Sequence, residues 1–487
     1  MGYIEGHDRN QITLFPDSID DYISEDNSVR LIDEYIDQLD MVLLGFKRAV
    51  PARIGRPPYD PRDLLKLYIY GYLNRVRSSR RLEQEASRNL EVIWLLKKLK
   101  PDFKTIADFR KDNKKALKAV YRNFTRLCDS WKLFGKEMIA IDGTKFRASN
   151  SKKNNFSEKK LKRKLKYIDE RIDKYLQELD EADALEDTVD HKPDADEIKR
   201  RLKELRERKQ TYESYQKQME KTGENEISTV DPDARLMANN NNNVDVSYNV
   251  QAAVDSKHKL IVDFKVTQKP ADQGELGNMS LRAKEILGVD KLEVLADKGY
   301  YKVEDIRECL ENGITPYVAK QTFSSRTGIK EFYPDKFTYD KEKDVYICPA
   351  GQELSRFRIR KTKGKIVGYD YLNPEVCCQC PFKTQCTKSA KGRSIFRHKD
   401  QDLLDPHDVK IGDNKEKYRL RQMIVEHPFG TIKRTWGAYY FLTRRLPSVT
   451  AEMSLTCLAY NLKRAINILG VKEMIKRLGE NREAVLV

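Results

Sequence analysis

Apolar residues recur at helical spacing in the first part of the chain. In the stretch RDLLKLYIYGYLNRVRSSRRLEQEASRNLEVIWLLKKL they lie three or four residues apart, and Ser78 and Ser79 form a break and a cap between helices. Thr105 and Asp108 match a capping box, which predicts a further helix running toward Trp131. The pattern therefore predicts a helical N-terminal domain.

A strand pattern begins at EMIAID and resumes in VDVSYNVQAAVDSKHKLIVDFKVTQ, KLEVLADKGYY and ITPYVAK. β-Branched residues flank Asp255, Ser256 and Lys257, which predicts a hairpin there. Helical stretches near 278–288 and 303–312 separate the later strands. Antiparallel strands followed by strand–helix–strand units predict a mixed α/β sheet.

Two segments interrupt this sheet pattern. Residues 157–220 carry apolar positions at four-three spacing on two arms joined by an acidic connector, which predicts an inserted antiparallel coiled-coil hairpin. A solvated spacer or a dimer contact is an equally weighted alternative for this hairpin. The second interruption, about 320–415, is rich in cysteine, and a final helical segment follows with an apolar stripe typical of core packing.

Charge adds a partner class to this picture. The 487 residues include 92 Lys and Arg against 76 Asp and Glu, a formal net charge of +16, which favours a polyanionic partner such as nucleic acid. Residues 1–50 carry 11 acidic and 4 basic side chains, whereas residues 51–100 carry 12 basic and 5 acidic ones. We therefore place a boundary near 50, with DNA binding on the basic side.

Membrane and secreted classes are not expected. The longest apolar runs stay far below the ~18 residues that a span requires. The N-terminal sequence MGYIEGHDRNQ has no basic region followed by an apolar one, so we expect a cytoplasmic protein.

Two aspartates follow apolar strand patterns and precede glycine. Asp142 ends IAID before Gly143, and Asp297 ends EVLAD before Lys298 and Gly299. Each instance alone is explained by turn chemistry, but two in similar settings predict carboxylates gathered at the carboxyl ends of strands. Divalent-ion catalysis needs further oxygen ligands, and Glu426 in the downstream segment is the best candidate.

The cysteines between 348 and 386 form a second candidate site. Cys348, the Cys377-x₂-Cys380 pair and Cys386 supply enough thiolates for a structural zinc ion, with Cys378 as an alternative ligand. Reduced cysteines without metal are the alternative interpretation.

The set AIDGTKF, LADKGYY and VEHPFGTIKR, in that order, resembles bacterial insertion-sequence transposases of the DDE type. The resemblance implies that Asp142, Asp297 and Glu426 are the three catalytic acids. It also implies an RNase H-like core that binds two Mg²⁺ or Mn²⁺ ions. The family's tyrosine, arginine and lysine around the glutamate correspond to Tyr418, Arg421 and Lys433.

The function implied is a transposase that binds element ends, cleaves phosphodiester bonds and joins 3′-ends to target DNA. Two alternatives remain: an RNase H-like nuclease without strand transfer, and a catalytically inert DNA-binding derivative. A homodimer on DNA is expected because two ends must be brought together, and a bacterial, nucleoid-associated location follows from the resemblance. The residues assigned to DNA phosphates are Lys145, Lys298, Arg421, Lys433, Arg80 and Arg81.

These expectations divide the chain into successive parts. The acidic segment precedes the helical basic domain, and the catalytic core is interrupted by the helical hairpin and the cysteine-rich insertion. The boundaries are 1–50 (acidic), 51–135 (helical, DNA-binding), 136–156 and 225–320 (core), 157–224 (hairpin), 321–415 (cysteine-rich) and 416–487 (C-terminal core helices).

Overall fold

The computed structural model describes residues 18–480 except 52, 55–56, 185–194, 239–242, 321–328 and 363. Most of the acidic connector of the predicted hairpin lies outside the described residues. The described part has a mixed α/β fold, as predicted. Within that part, no helix is long and apolar enough to cross a bilayer.

Six helices form the N-terminal part of the described chain, and five of them lie in the region from Pro61 onward that the apolar spacing predicted to be helical. They are α1 (Ser28–Asp37), α2 (Pro61–Leu73), α3 (Ser79–Arg88), α4 (Leu90–Leu95), α5 (Phe103–Asp112) and α6 (Lys114–Ser130). Ser78 directly precedes α3, which confirms the predicted break. The acidic and basic segments meet here, because the buried ammonium of Lys66 on α2 pairs with Asp33 and Asp37 of α1, each at 2.6 Å.

The predicted capping box is wrong in position. Asp102 caps α5, and its carboxylate accepts the backbone N–H groups of Lys104 and Thr105 at 2.9 Å each. An aspartate immediately before the first helical residue is already an effective N-cap, so Thr105 lies inside the first turn. The helix also stops at Asn113, so two helices cover the stretch that was predicted as one.

The central sheet has six strands. The first eight strands of the chain are β1 (Met138–Arg147), β2 (Asn155–Ser157), β3 (Glu226–Ser228), β4 (Arg235–Ala238), β5 (Val244–Asp255), β6 (Ile261–Thr267), β7 (Leu292–Ala296) and β8 (Ile314–Val318). The order is β4-β5-β1-β7-β8, and β6 also pairs with β5. β1, β7 and β8 run parallel, whereas β5 is antiparallel to its partners. The predicted hairpin after Asp255 joins β5 to β6.

Two long helices, α7 (Glu158–Ala184) and α8 (Ala195–Thr222), are inserted between β2 and β3. Leu161 near the start of α7 packs with Met219 near the end of α8, so the two helices are antiparallel. Lys209 and Asp169 link them at 2.7 Å. The pair has its own small apolar cluster at the β2–β3 end.

The helices predicted near 278–288 and 303–312 are present as α9 (Leu276–Leu287) and α10 (Val303–Glu311). α9 connects β6 to β7, and α10 connects the parallel neighbours β7 and β8. Parallel neighbours require such crossovers. Both helices pack against the sheet.

The cysteine-rich segment folds into two small sheets with two short helices. Its elements are β9 (Thr338–Asp340), β10 (Val345–Ile347), β11 (Glu353–Leu354), β12 (Arg356–Thr362), β13 (Lys365–Tyr371), α11 (Pro374–Gln379), α12 (Lys383–Cys386) and β14 (Ile395–His398). β9, β10 and β11 form one sheet, and β12, β13 and β14 form the other. This segment has an apolar cluster separate from the main core.

Four helices form the last stretch of the described residues: α13 (Gln401–Asp413), α14 (Lys415–Gly430), α15 (Leu446–Leu469) and α16 (Val471–Glu480). α14 continues through Pro428, and a π-helical turn follows at Thr431–Thr435. α15 carries the predicted apolar stripe and packs against α2, α6 and β6. One hydrophobic core therefore extends from the N-terminal helices through the sheet to α16.

Candidate active site

Asp142 and Asp297 occupy equivalent positions on neighbouring strands. The parallel pairing of β1 with β7 ends at Ile141 and Ala296, and each aspartate is the next residue of its chain. β7 stops there, and Asp297 opens a short 3₁₀ turn. The structure therefore brings the two predicted acids side by side at the carboxyl end of the parallel pair.

The turn predicted at Gly143 is wrong. β1 runs on to Arg147 because its other neighbour, β5, continues to pair with it, and Gly143 lies opposite Gln251. A Cβ at 143 would lie 2.3 Å from both Asp272 Oδ1 and Gln251 Nε2, so a larger residue here would displace these side-chain ends. Gly143 thus provides space for a close approach and does not turn the chain.

The Asp142 carboxyl is largely buried, and this burial raises its pKa to about 6. The backbone N–H of Gly143, which donates to Oδ1 at 2.9 Å, and the charge of Arg421 act in the opposite direction. The acidic side chains of Asp272 and Asp297 raise the pKa further. An ionised Asp142 is therefore destabilised until a cation reaches it.

Asp297 is more exposed and is contacted by α14. The backbone N–H of Lys298 donates to its Oδ1 at 2.7 Å, and the Arg421 guanidinium lies 3.7 Å from the same oxygen. The Tyr418 hydroxyl, one turn earlier on α14, reaches the backbone of Lys298 and Ala319. The tyrosine and arginine that the family resemblance singled out thus lie beside Asp297.

Lys433, in the π-helical turn, is anchored to β1 just past Asp142. Its ammonium donates to Thr144 Oγ1 and to the Lys145 carbonyl, the latter at 2.7 Å. Burial lowers the pKa of Lys433 to about 8; the charge of Lys145 lowers it as well, and Asp142 raises it. Lys433 thus places a weakly held proton and a positive charge next to the buried aspartate.

Asp272, between β6 and α9, is a site residue that the sequence analysis missed. Its Oδ1 accepts from Asn249 Nδ2 and Gln251 Nε2 at 2.7 Å each and lies 3.5 Å from Lys145 Nζ. The Tyr300 hydroxyl donates to Gln251 Oε1, which fixes the amide. The available signal was the pair of polar residues Asn249 and Gln251, which are fully buried in β5.

Glu426 lies on α14, and its side chain is exposed. Lys433, seven residues further along the chain, lies in the π-helical turn and contacts β1. Among the described residues, no three His, Cys, Asp or Glu side chains stand at metal-ligand spacing. The structure thus places Asp142 and Asp297 side by side, whereas Glu426 lies on the neighbouring helix α14 with its side chain exposed.

The other residues predicted to contact DNA have separate locations. Lys298 is exposed beside Asp297. Arg80 and Arg81 are exposed on α3, and the Arg80 guanidinium lies 5.0 Å from the centre of the Phe103 ring. The structure therefore places Lys298 beside the paired aspartates and both arginines on the helical part.

Comparisons with known proteins support the class that this arrangement defines, a sheet protein with paired acids and neighbouring bases. Residues 17–112 match the family model described as a transposase domain (DUF772), and residues 347–466 match the model described as a transposase DDE domain. Glu426 falls inside the second match, whereas Asp142 and Asp297 fall between the two. The resemblance to DDE-type transposases is thus confirmed, and the chain carries domains of that class.

No curated protein matches the chain. A solved piggyBac transposase synaptic complex with hairpin DNA aligns with 94% of this chain and 78% of its own, at 8% identity and a TM-score of 0.27. A likeness of that size carries no argument about this protein.

Proposed function

We propose that the protein is a DNA transposase of bacterial insertion-sequence type that cleaves its element's ends and joins their 3′-ends to target DNA. The observation that carries this proposal is the side-by-side placement of Asp142 and Asp297, with Arg421 and Lys433 supplied by the segment that contains Glu426. On this proposal the central sheet is the RNase H-like core.

The residues fit hard divalent cations, Mg²⁺ or Mn²⁺. Asp142 and Asp297 offer neighbouring carboxylate oxygens, and burial raises the pKa of Asp142, so a bound cation would favour its ionised form. Asp142, Asp297 and Glu426 would hold the ions, with Glu426 turning inward from α14. When bound, two such ions activate the attacking hydroxyl and stabilise the leaving oxygen of a phosphodiester.

The protein's own groups would position the DNA backbone. Arg421 lies beside Asp297 and offers a planar donor pair to a phosphate, while Lys145 and Lys298 flank the two acids in sequence. Lys433 holds the Lys145 carbonyl, so it would fix the geometry of β1 next to Asp142. The basic side chains would thus hold the scissile phosphate against the carboxylates.

The helical part would bind element ends through Arg80 and Arg81, whose exposed guanidinium groups suit phosphate contact. Two copies of the chain on DNA would pair the two ends, and the α7–α8 pair, as an antiparallel coiled coil, is the candidate dimer contact. The setting would be the bacterial nucleoid.

A strand-transfer assay tests this proposal. Linear DNA carrying the sequences that flank the gene is incubated with protein, Mg²⁺ and a plasmid target. Joined product is expected with wild type and with Asp290→Asn, an exposed aspartate before β7. We expect loss of at least ~10³-fold with Asp142→Asn or Asp297→Asn, because each removes a charged ligand.

The outcomes separate the three functions. Cleaved ends without joined product would establish the nuclease alternative. Binding of the ends without cleavage by wild type would establish the inert derivative. Wild-type joining by Asp142→Asn would refute the assignment of the site.

A further inference from the structure

Four sulfur-bearing side chains from separate turns of the cysteine-rich segment line one small cavity. Cys348, Cys377, Cys380 and Cys386 border a space of about 30 Å³ beneath the β9–β11 sheet. They come from the turn after β10, from α11 and its end, and from the end of α12. The volume suits a single ion or water molecule.

The turn that carries Cys348 has backbone donors directed at sulfur. Gly351 adopts φ +79° and its N–H donates to the Cys348 carbonyl at 2.8 Å, which closes a tight turn. The N–H of Gln352 then points at Cys348 Sγ from 3.3 Å. This contact fixes the position of the Cys348 sulfur at the cavity.

A second loop encloses Cys377 in the same way. Gly392 adopts φ +100°, and a Cβ there would lie 2.8 Å from Cys377 Sγ, so only glycine allows the loop to approach. The backbone of Arg393 bonds to Cys377, and the Arg393 side chain donates to the Cys386 carbonyl. Two separate loops thus supply both sulfur ligands and donors to sulfur.

Cys378 is excluded from this group by its orientation. Its side chain is exposed, does not line the cavity, and donates to the Ala390 carbonyl at 3.3 Å. The sequence allowed five cysteines to compete for four positions, and the structure separates them.

The segment has little other means of holding its shape. Its apolar cluster contains five buried residues, Phe337, Tyr346, Leu354, Tyr371 and Ile395. Folded units this small commonly depend on disulfides or metal ions, and the cysteines here are all free thiols.

We propose that Cys348, Cys377, Cys380 and Cys386, which line one cavity but do not yet stand at metal-ligand spacing, close on one structural zinc ion as thiolates. Binding would release the four thiol protons and would draw the sulfurs to ~2.3 Å from the ion in a tetrahedron. The ion would join the β9–β11 sheet to α11, α12 and the Gly392 loop. Its role is separate from the catalytic ions, so it stands or falls independently of transposition.

The test is the zinc content of the full-length protein, purified without chelator and measured by elemental mass spectrometry. Wild type and Cys378→Ser are expected to carry about one zinc per chain. Cys377→Ser and Cys380→Ser are expected to lose most of it. Cobalt in place of zinc should give sulfur-to-metal charge-transfer absorption in wild type and Cys378→Ser only.

Hydrogen exchange provides a readout if the ligand variants fold poorly. Chelation of wild type should accelerate exchange in β9 to β14 while β1 and β7 remain protected. Wild type without zinc or cobalt absorption would overturn the proposal, as would equal zinc loss in Cys378→Ser and Cys377→Ser. A disulfide between any two of the four cysteines in the purified protein would also overturn it.

Discussion

Replacement of Asp142 by Asn is expected to stabilise the ion-free protein above pH 6. The pKa of this carboxyl is raised from 3.8 to about 6 in the folded state, so folding favours its protonated form. The stabilisation that the protonated carboxyl gives the folded state is fully present below pH 3.8 and is lost as the pH rises through 6. A pKa difference of one between the folded and unfolded states corresponds to about 1.36 kcal/mol. The shift from 3.8 to about 6 therefore lowers the free energy of unfolding at pH 8 by ~3 kcal/mol.

Asparagine removes this cost and keeps an oxygen that can accept from the Gly143 N–H. Urea unfolding in EDTA should therefore show Asp142→Asn more stable than wild type by up to ~3 kcal/mol at pH 8, and the difference should shrink by about 1.4 kcal/mol at pH 5. Asp290→Asn, which removes an exposed carboxylate, should match wild type at both pH values. Addition of Mg²⁺ should stabilise wild type more than Asp142→Asn.

The reasoning is refuted if Asp142→Asn is no more stable than wild type at pH 8. A stability difference that does not change between pH 5 and pH 8 would also refute it, because the effect would not arise from titration of Asp142.

Three further predictions concern neighbouring groups. Gly143→Ala should lower the free energy of unfolding by ~1–3 kcal/mol and suppress strand transfer, because its Cβ would displace Asp272 or Gln251. Gly412→Ala, which has open space at its Cβ, should do neither. Equal unfolding midpoints for the two variants would contradict this prediction. The rate of wild-type strand transfer should fall above pH 8 as Lys433 loses its proton, whereas the rate of Lys433→Arg should not. Coincident pH profiles of the two proteins would contradict a role for the Lys433 charge. The double change of Arg80 and Arg81 to Ala should reduce the salt slope of DNA binding by about 2, measured by fluorescence anisotropy.

The positions of Asp142 and Asp297 could be predicted because apolar runs that end on aspartate are a local signal. The helical N-terminal part could be predicted for the same reason, since its spacing is regular over many residues. The β5–β6 hairpin and the helices between the parallel strands were equally local features.

Other features depend on contacts between distant parts of the chain. Whether Gly143 turned the chain depended on how far β5 extended beside β1, which no local pattern encodes. Asp272 reaches the site through hydrogen bonds from Asn249 and Gln251, and its own sequence surroundings carry no signal. The direction of Lys433 depended on a π-helical turn, which helical periodicity does not predict.

The central claim is that Asp142 and Asp297 hold the catalytic ions. Anomalous diffraction from crystals of the protein with its DNA ends and Mn²⁺ tests it most directly. The account predicts manganese within ~2.0–2.4 Å of a carboxylate oxygen of each aspartate, with Glu426 turned in to the same site. The claim would be contradicted if manganese is bound elsewhere and the protein from the redissolved crystals still joins DNA ends.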